Sequence, residues 1–558
     1  MPNNDERVGH LDDPGHDYFD VELGQYLPDV ESTLSALDQD AVLRRIWDRD
    51  HTAWADESDE IDNRLGWLTV SDEIVEQVSA LTEFAQEVKD AGFRHVVLLG
   101  MGGSSLGPEV VRRTIGSADG FPELIVLDST VPESVDSVTM AIDLSRTLFL
   151  VSSKSGGTIE PNSFYRHFRA LVEQAVGSEA AGKSFVAITD PDTSLEELAH
   201  SEGFLAVFSN PSDIGGRYSV LSFFGLVPAA LMGVDIASLL QRANDMRESC
   251  ASSVDSLSNP GAFLGAALAT LAAAGRDKLT LVTSPSIGSF GLWAEQLIAE
   301  SLGKNDKGVV PVADEPSIGV NSYGDDRFFV YLRVAGDDNL ATDESIRLIA
   351  ERGQPIVRLD LRDRYDLGAE FFRWEFATAV AGAIVKINPF DQPNVEAAKN
   401  MTDSVLEGYR ATGKLPDGGF GISAQELLGS ITDGDYLAIM AYVAQTPEID
   451  RAFETLRLQV AERYGIATTL GYGPRFLHST GQLHKGGPPS GAFLQITTRH
   501  GDGGSIPGAH FSFGTLADAQ ALGDRKALVE AGRRVARLHL ESDVAAGVLD
   551  LATEIAGA

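Results

Sequence analysis

The chain has 558 residues, 44 of them Lys or Arg against 82 Asp or Glu, for a formal net charge of −38. That balance excludes the basic footprint of a nucleic-acid binder and the polybasic face that docks on an anionic membrane. The length predicts two or three domains, 43 % apolar and 23 % charged residues predict a globular chain, and the single cysteine, Cys250, excludes an intramolecular disulfide framework or a cysteine-based zinc site.

Met1–His16 is polar and acidic and lacks the basic and apolar segments of a signal peptide, so the reducing cytoplasm is the expected compartment. Residues 1–62 hold 18 acidic and 4 basic side chains. They predict loose first residues, then a helical arm around Asp40–Trp54 with a solvated acidic face. Short apolar runs at His95–Leu99, Glu123–Leu127, Thr147–Val151, Phe185–Ile188 and Phe204–Phe208 alternate with helix-length segments. This is the pattern of a parallel sheet covered on both faces. The pattern restarts with Lys278–Thr283, Phe328–Val334 and Ile356–Leu361. Leu221–Val234, Pro260–Gly275 and Phe376–Ile387 are too short to span a bilayer and predict buried helices. The expected architecture is therefore α/β. Two doubly wound parallel-sheet lobes, 63–250 and 251–400, stand between the N-terminal arm (1–62) and a mixed C-terminal region (401–558). In that last region the pattern predicts a Gly/Pro-rich loop at Gly471–Pro489, one strand at Phe493–Thr498 and a closing helix at Arg525–Leu540.

Two loops carry the chemistry. After the first strand come Gly100, Gly102, Gly103, Ser104 and Ser105, then a helix with Pro108 near its start. Glycines admit an anion to the backbone, and a helix N-terminus offers unpaired N–H groups. A dinucleotide fingerprint would need glycine or alanine in place of Ser105, whereas hydroxyls suit a terminal phosphate. After the third strand come Ser152, Ser153, Lys154, Ser155, Gly156, Gly157 and Thr158, then Glu160. Hydroxyls, backbone N–H groups and one ammonium at a strand end are the donors a phosphate monoester needs. Either loop alone could be a capped turn; two at successive strand ends point to a ligand.

With "SSKSGGTIE" and "IGGRYSVLS" (Ile214–Ser222) the chain resembles the sugar-isomerase family. "AESLGKNDKG" (Ala299–Gly308) and "INPFDQPNVEAAK" (Ile387–Lys399) narrow the resemblance to its glucose-6-phosphate isomerase branch, of the bacterial type also found fused to transaldolase. No transaldolase segment is expected ahead of this one. The resemblance implies two sugar-isomerase lobes and an isomerase without cofactor or metal, acting on a small sugar phosphate as a homodimer whose catalytic histidine crosses the interface. It also implies residue roles. Gly103, Ser104, Ser153, Lys154, Ser155 and Thr158 would hold phosphate, with Gly216 and Gln392 also at the substrate. Glu300 would be the base that moves the proton between C1 and C2, Arg217 the cation beside the enediol, and Lys399 a group at the ring oxygen. The family's histidine usually lies between the glutamate and glutamine motifs, but residues 301–391 contain none. "RFLHSTGQLHKGG" (Arg475–Gly487) makes His478 the counterpart, with His484 the alternative.

The chemistry of these residue types agrees. One carboxylate can remove and return a proton α to a carbonyl, a fixed guanidinium stabilises the anion that forms, and histidine suits ring opening near neutral pH. Gln296 and Glu300 are four residues apart and would share a helix face. Without the motif, Glu300 and Lys399 would each read as solvated helix residues, and Arg217 as an ion-pair partner. Competing readings are a non-catalytic sugar-phosphate sensor, a dual phosphoglucose/phosphomannose isomerase, and a dinucleotide-dependent dehydrogenase supported only by Asp128 after the second strand.

Overall fold

The computed structural model describes residues 19–416, 418–419, 421–501, 503–541 and 543–557, so the expectation of loose first residues falls outside the described chain. The chain opens with strand β1 (Phe19–Glu22) and helices Leu27–Gln39 and Val42–Trp47. Acidic residues of this arm face solvent as expected, but its apolar side is part of the main core. Val30, Leu34, Leu37 and Ile46 are buried. The indole of Trp47 donates to the Cys250 carbonyl at 2.9 Å and that of Trp54 to the Ala379 carbonyl at 2.7 Å.

The first sheet comprises β2 (His95–Gly100), β3 (Glu123–Leu127), β4 (Thr147–Ser152), β5 (Phe185–Thr189) and β6 (Ala206–Ser209), all parallel in the order β3-β2-β4-β5-β6. The chain leaves β2 toward one edge and β4 toward the other. Their carboxyl ends thus form the crevice in which ligands of open α/β sheets bind. Register pairs Gly100 with Ser152, so the two Ser/Gly loops leave the sheet side by side.

The second sheet comprises β7 (Lys278–Thr283), β8 (Val310–Val312), β9 (Arg327–Val334) and β10 (Ile356–Leu361), in the order β1-β10-β9-β7-β8. Strand β1 joins its edge antiparallel, so the arm is stitched into this lobe by backbone hydrogen bonds. Helices Phe223–Leu231, Pro260–Ala273 and Leu367–Val385 occupy the three most apolar stretches and are almost wholly buried. Among the described residues no helix is long and apolar enough to cross a membrane.

The C-terminal region corrects the sequence reading. It holds a third parallel sheet of β11 (Tyr436–Tyr442), β12 (Ala467–Tyr472), β13 (Gly491–Thr498) and β14 (Arg534–Leu540), in the order β12-β11-β13-β14. The closing helix expected at Arg525–Leu540 is two elements. Helix Phe513–Glu530 stops before Gly532, whose φ of 70° lies in the left-handed region, and β14 follows. The loop expected at Gly471–Pro489 contains a 3₁₀ turn at Arg475–His478 and a short helix at Gly481–Gly486.

Candidate active site

An open cleft of ≈ 770 Å³ lies at the carboxyl ends of β2 and β4, and all twelve site residues expected from the sequence line it. At one end stand Gly103, Ser104, Ser153, Lys154, Ser155, Thr158 and Gly216; Arg217, Glu300, Gln392, Lys399 and His478 complete the wall.

The first end is built from backbone and hydroxyls. Thr158 precedes helix Ile159–Val176 and Ser105 precedes helix Leu106–Thr114, and neither side chain caps its own helix. The first-turn N–H groups are therefore left for an anion, with the positive ends of two helix dipoles behind them. Ser153 Oγ lies 3.2 Å from Thr158 Oγ1, and the Gly157 N–H donates to Ser155 Oγ at 3.3 Å. The glycines of the first loop have a second reason to be glycine. A Cβ on Gly103 would stand 1.9 Å from the Gly216 carbonyl oxygen, and one on Gly102 would stand 2.6 Å from that of His478. They admit other loops of the protein. The ammonium of Lys154 is already engaged, by the Asp190 carboxylate and by the Ser212 carbonyl at 2.9 Å. Burial raises the Asp190 carboxyl above the ordinary range despite that ion pair.

The other end is assembled from distant segments. Helix Phe290–Leu302 carries Gln296 and Glu300 on one face, and the Gln296 amide donates to Glu300 Oε2 at 3.2 Å and to the His478 carbonyl at 2.8 Å. Burial raises the Glu300 carboxyl; the Arg217 charge and the Gln296 hydrogen bond oppose the rise without cancelling it. Arg217, 3 % exposed, is held on every side. It donates to Ser301 Oγ at 2.9 Å, Gln392 Oε1 at 3.0 Å, and the Pro389 and Asp391 carbonyls at 2.8 and 2.7 Å. Its Nη1 is 3.5 Å from Glu300 Oε2. A guanidinium fixed mainly by neutral acceptors keeps its charge available to an anion developing beside the carboxylate.

The turn before Gln392 is tied to the same helix by Lys304. Its ammonium donates to the Asn388 and Asp391 carbonyls at 2.6 Å each and to Asp391 Oδ1 at 2.5 Å. Burial and the Arg217 charge push the lysine down to about 7 against the pull of Asp391. Asp391 is thus the counter-ion of a buried lysine.

His478 reaches this end from the third lobe. One ring nitrogen lies 2.9 Å from Glu160 Oε1 on helix Ile159–Val176. The Gln520 amide donates to the same oxygen at 2.7 Å, and Thr130 donates to the Gln520 carbonyl oxygen at 2.7 Å. Burial works against the Glu160 charge, yet the His478 charge and hydrogen bond outweigh it and the carboxyl stays below its usual value. Glu160 can therefore hold an N–H of the imidazole and leave the other nitrogen to exchange a proton. Three residues upstream, Arg475 grips Asp128 at the end of β3 with two bonds of 2.7 and 2.8 Å, tying the histidine turn to the first lobe. That ion pair also removes the one residue that favoured a dinucleotide site. His484 lies outside the cleft, 3 % exposed between Phe476 and Phe493, and burial with the Lys485 and Arg533 charges holds it well below the ordinary histidine range. Within the single chain, His478 lines the same cleft as Glu300 and Arg217. Lys399, on helix Pro393–Thr412, lines the cleft one turn after Val395 and helps stabilise the Glu160 charge.

Glu160, Gln520, Thr130 and Lys304 were not assigned from the sequence. Glu160 and Lys304 stand inside quoted motifs, so motif membership was their only signal. Gln520 and Thr130 carried none.

The chain is also similar to known proteins. The phosphoglucose isomerase family profile matches residues 57–307. A glucose-6-phosphate isomerase of Staphylococcus saprophyticus is 32% identical over 390 residues, 61% of this chain and 86% of the relative. One from Rubrobacter xylanophilus is 31% identical over 389 residues, 60% of this chain and 88% of the relative. Among solved structures, a hypothetical protein of Thermus thermophilus superposes with a TM-score of 0.59 at 23% identity, over 69% of this chain and 99% of that one. A glucose-6-phosphate isomerase of Chlamydia trachomatis superposes with a TM-score of 0.56 at 18% identity, over 69% of this chain and 86% of that one. These two likenesses concern the fold. A cleft that gathers the motif residues, and relatives matched over most of their own length, lead to one conclusion: this chain belongs to the phosphoglucose isomerase family.

Proposed function

We propose that this chain interconverts glucose 6-phosphate and fructose 6-phosphate through a cis-enediol(ate), in the cytoplasm. One observation carries the reading. A buried carboxylate, Glu300, stands beside a fixed guanidinium, and the His478–Glu160 pair and a cradle of hydroxyls and helix N-termini line the same cleft. Phosphate held in the cradle by Ser104, Ser153, Ser155 and Thr158 orients the sugar carbons toward the carboxylate.

His478, with Lys399, moves the protons of ring opening: the C1 hydroxyl gives up a proton and the ring oxygen gains one. Glu300 then takes the C2 proton of the aldose, charge builds on the carbonyl oxygen, and Arg217 stabilises the enediolate. A proton passes from the C2 hydroxyl to the C1 oxygen, the protonated Glu300 returns its proton to C1, and the ketose results. The raised Glu300 carboxyl favours this shuttle, since a base closer to neutrality gives its proton back more readily. A sensor would need the cradle but not this arrangement of Glu300, Arg217 and Gln392. A homodimer remains part of the proposal.

The test is conversion of fructose 6-phosphate to glucose 6-phosphate, read through a coupled dehydrogenase, for wild type beside Glu300→Gln. Turnover that collapses in the variant supports both the activity and the base. Wild-type protein that binds the sugar phosphate without turning it over sinks the isomerase reading.

A further inference from the structure

The charge around the cradle does not balance. Six carboxylates line the cleft against four lysine and arginine cations. Lys154 is engaged by Asp190 and Ser212, Arg217 is spent on the reacting end, and Lys399 serves the Glu160 side. A phosphate dianion among hydroxyls and N–H groups still calls for a cation that it can recruit.

The fourth cation, Arg64, comes from the N-terminal segment where it crosses the rim of the cleft. On one side this segment is fixed to the loop before Arg217: Leu65 bridges Ile214, and the Gly66 N–H donates to the Asp213 carbonyl at 2.8 Å. On the other side Asn388 donates to the Asp59 carbonyl at 3.2 Å. Arg64 Cδ would lie 3.7 Å from a Cβ on Gly215, and its charge acts on Asp190, the partner of Lys154. Its own carboxylate partner is Glu60 at 2.7 Å, which is 49% exposed and whose backbone is held at a φ of 56°. An ion pair with so exposed a carboxylate is weak, and a planar guanidinium fork suits phosphate oxygens better than a lysine does.

We propose that Arg64 exchanges Glu60 for the phosphate group of the substrate and is a phosphate-binding residue supplied by the N-terminal segment. This inference rests on the isomerase reading for its substrate, but its test does not need turnover. Inorganic phosphate is the probe. Its affinity is measured by calorimetry on wild type, Arg64→Ala, Arg64→Lys and Glu60→Gln, with melting temperatures as a check on folding. Loss of one charge-assisted hydrogen bond weakens phosphate binding by at least about tenfold in Arg64→Ala. Arg64→Lys recovers part of the loss, and Glu60→Gln, which frees the guanidinium, tightens binding. In the coupled assay Arg64→Ala raises KM for fructose 6-phosphate in step and leaves kcat within about threefold. Phosphate affinity unchanged in a folded Arg64→Ala overturns the inference, as does a fall in kcat with KM unmoved. Inactive wild type would refute the isomerase reading while the calorimetry still decided the role of Arg64.

Discussion

The two ends of the cleft solve opposite problems. The phosphate end draws its donors from two loops that leave neighbouring strands at the same level, and these donors are mostly uncharged and duplicated. The reacting end uses single copies of charged groups, Glu300, Arg217 and Glu160, each 3 % exposed or less and each from a different part of the chain. Redundant dipoles tolerate the loss of one member, because the remaining hydroxyls and N–H groups still meet the anion. A buried charge has no understudy: removing it strands its partner in a low-dielectric site.

The strongest test of this contrast is Glu300→Gln. Turnover falls by roughly 10⁴-fold, the upper range for a general base, while KM moves little. The fold is expected to hold, since Arg217 loses its carboxylate but keeps its bonds to Ser301, Gln392 and the Pro389 and Asp391 carbonyls. A variant keeping more than a few per cent of wild-type turnover would place the base elsewhere.

Next in size is the histidine pair. His478→Asn lowers turnover of the cyclic substrate by about 10²-fold. His484→Ala leaves kcat within about threefold and instead lowers the melting temperature, because it empties a site packed between two aromatic rings. The reverse pattern would assign ring opening to His484.

A smaller effect isolates the tuning of the base. The Gln296 amide lowers the Glu300 carboxyl that burial raises, so Gln296→Leu should raise it further. The base works only when deprotonated, and the acid limb of kcat/KM therefore moves to higher pH in this variant. An acid limb that stays in place would show that another group sets it.

Smallest of all is Ser155→Ala at the phosphate end. KM for fructose 6-phosphate rises about threefold with kcat unchanged, as expected for one neutral hydrogen bond among several. A hundredfold loss there would erase the distinction between the two ends.

The same contrast explains what could be read in advance. Most strands of the first two sheets were legible, because the central ones are short apolar runs buried on both faces and set apart by helix-length segments, while the edge strands β1 and β8 were not expected. Of the third sheet only β13 was expected. In β14, Arg534, Arg537 and His539 interrupt the apolar residues, and the segment continued a helical pattern whose stop depends on the left-handed backbone of Gly532. At the site, the Ser/Gly loops are contiguous and their chemistry is local. The partner of Glu160 lies 318 residues away and that of Gln520 lies 360 away, so no spacing in the chain announces either contact.

By itself, then, the sequence determined which strand ends gather hydroxyls, glycines and helix starts, the groups proposed to hold phosphate, since these act over a few residues of backbone. It also singled out the motif glutamate and arginine proposed for the chemistry. The tertiary structure alone decided that His478 lines the same cleft as Glu300, that Glu160 holds it, that Lys304 locks the turn before Gln392, and that the N-terminal segment brings Arg64 to the rim. Those choices depend on how lobes pack and which charges burial forces together, and burial is a property of the folded chain that no local stretch of residues carries.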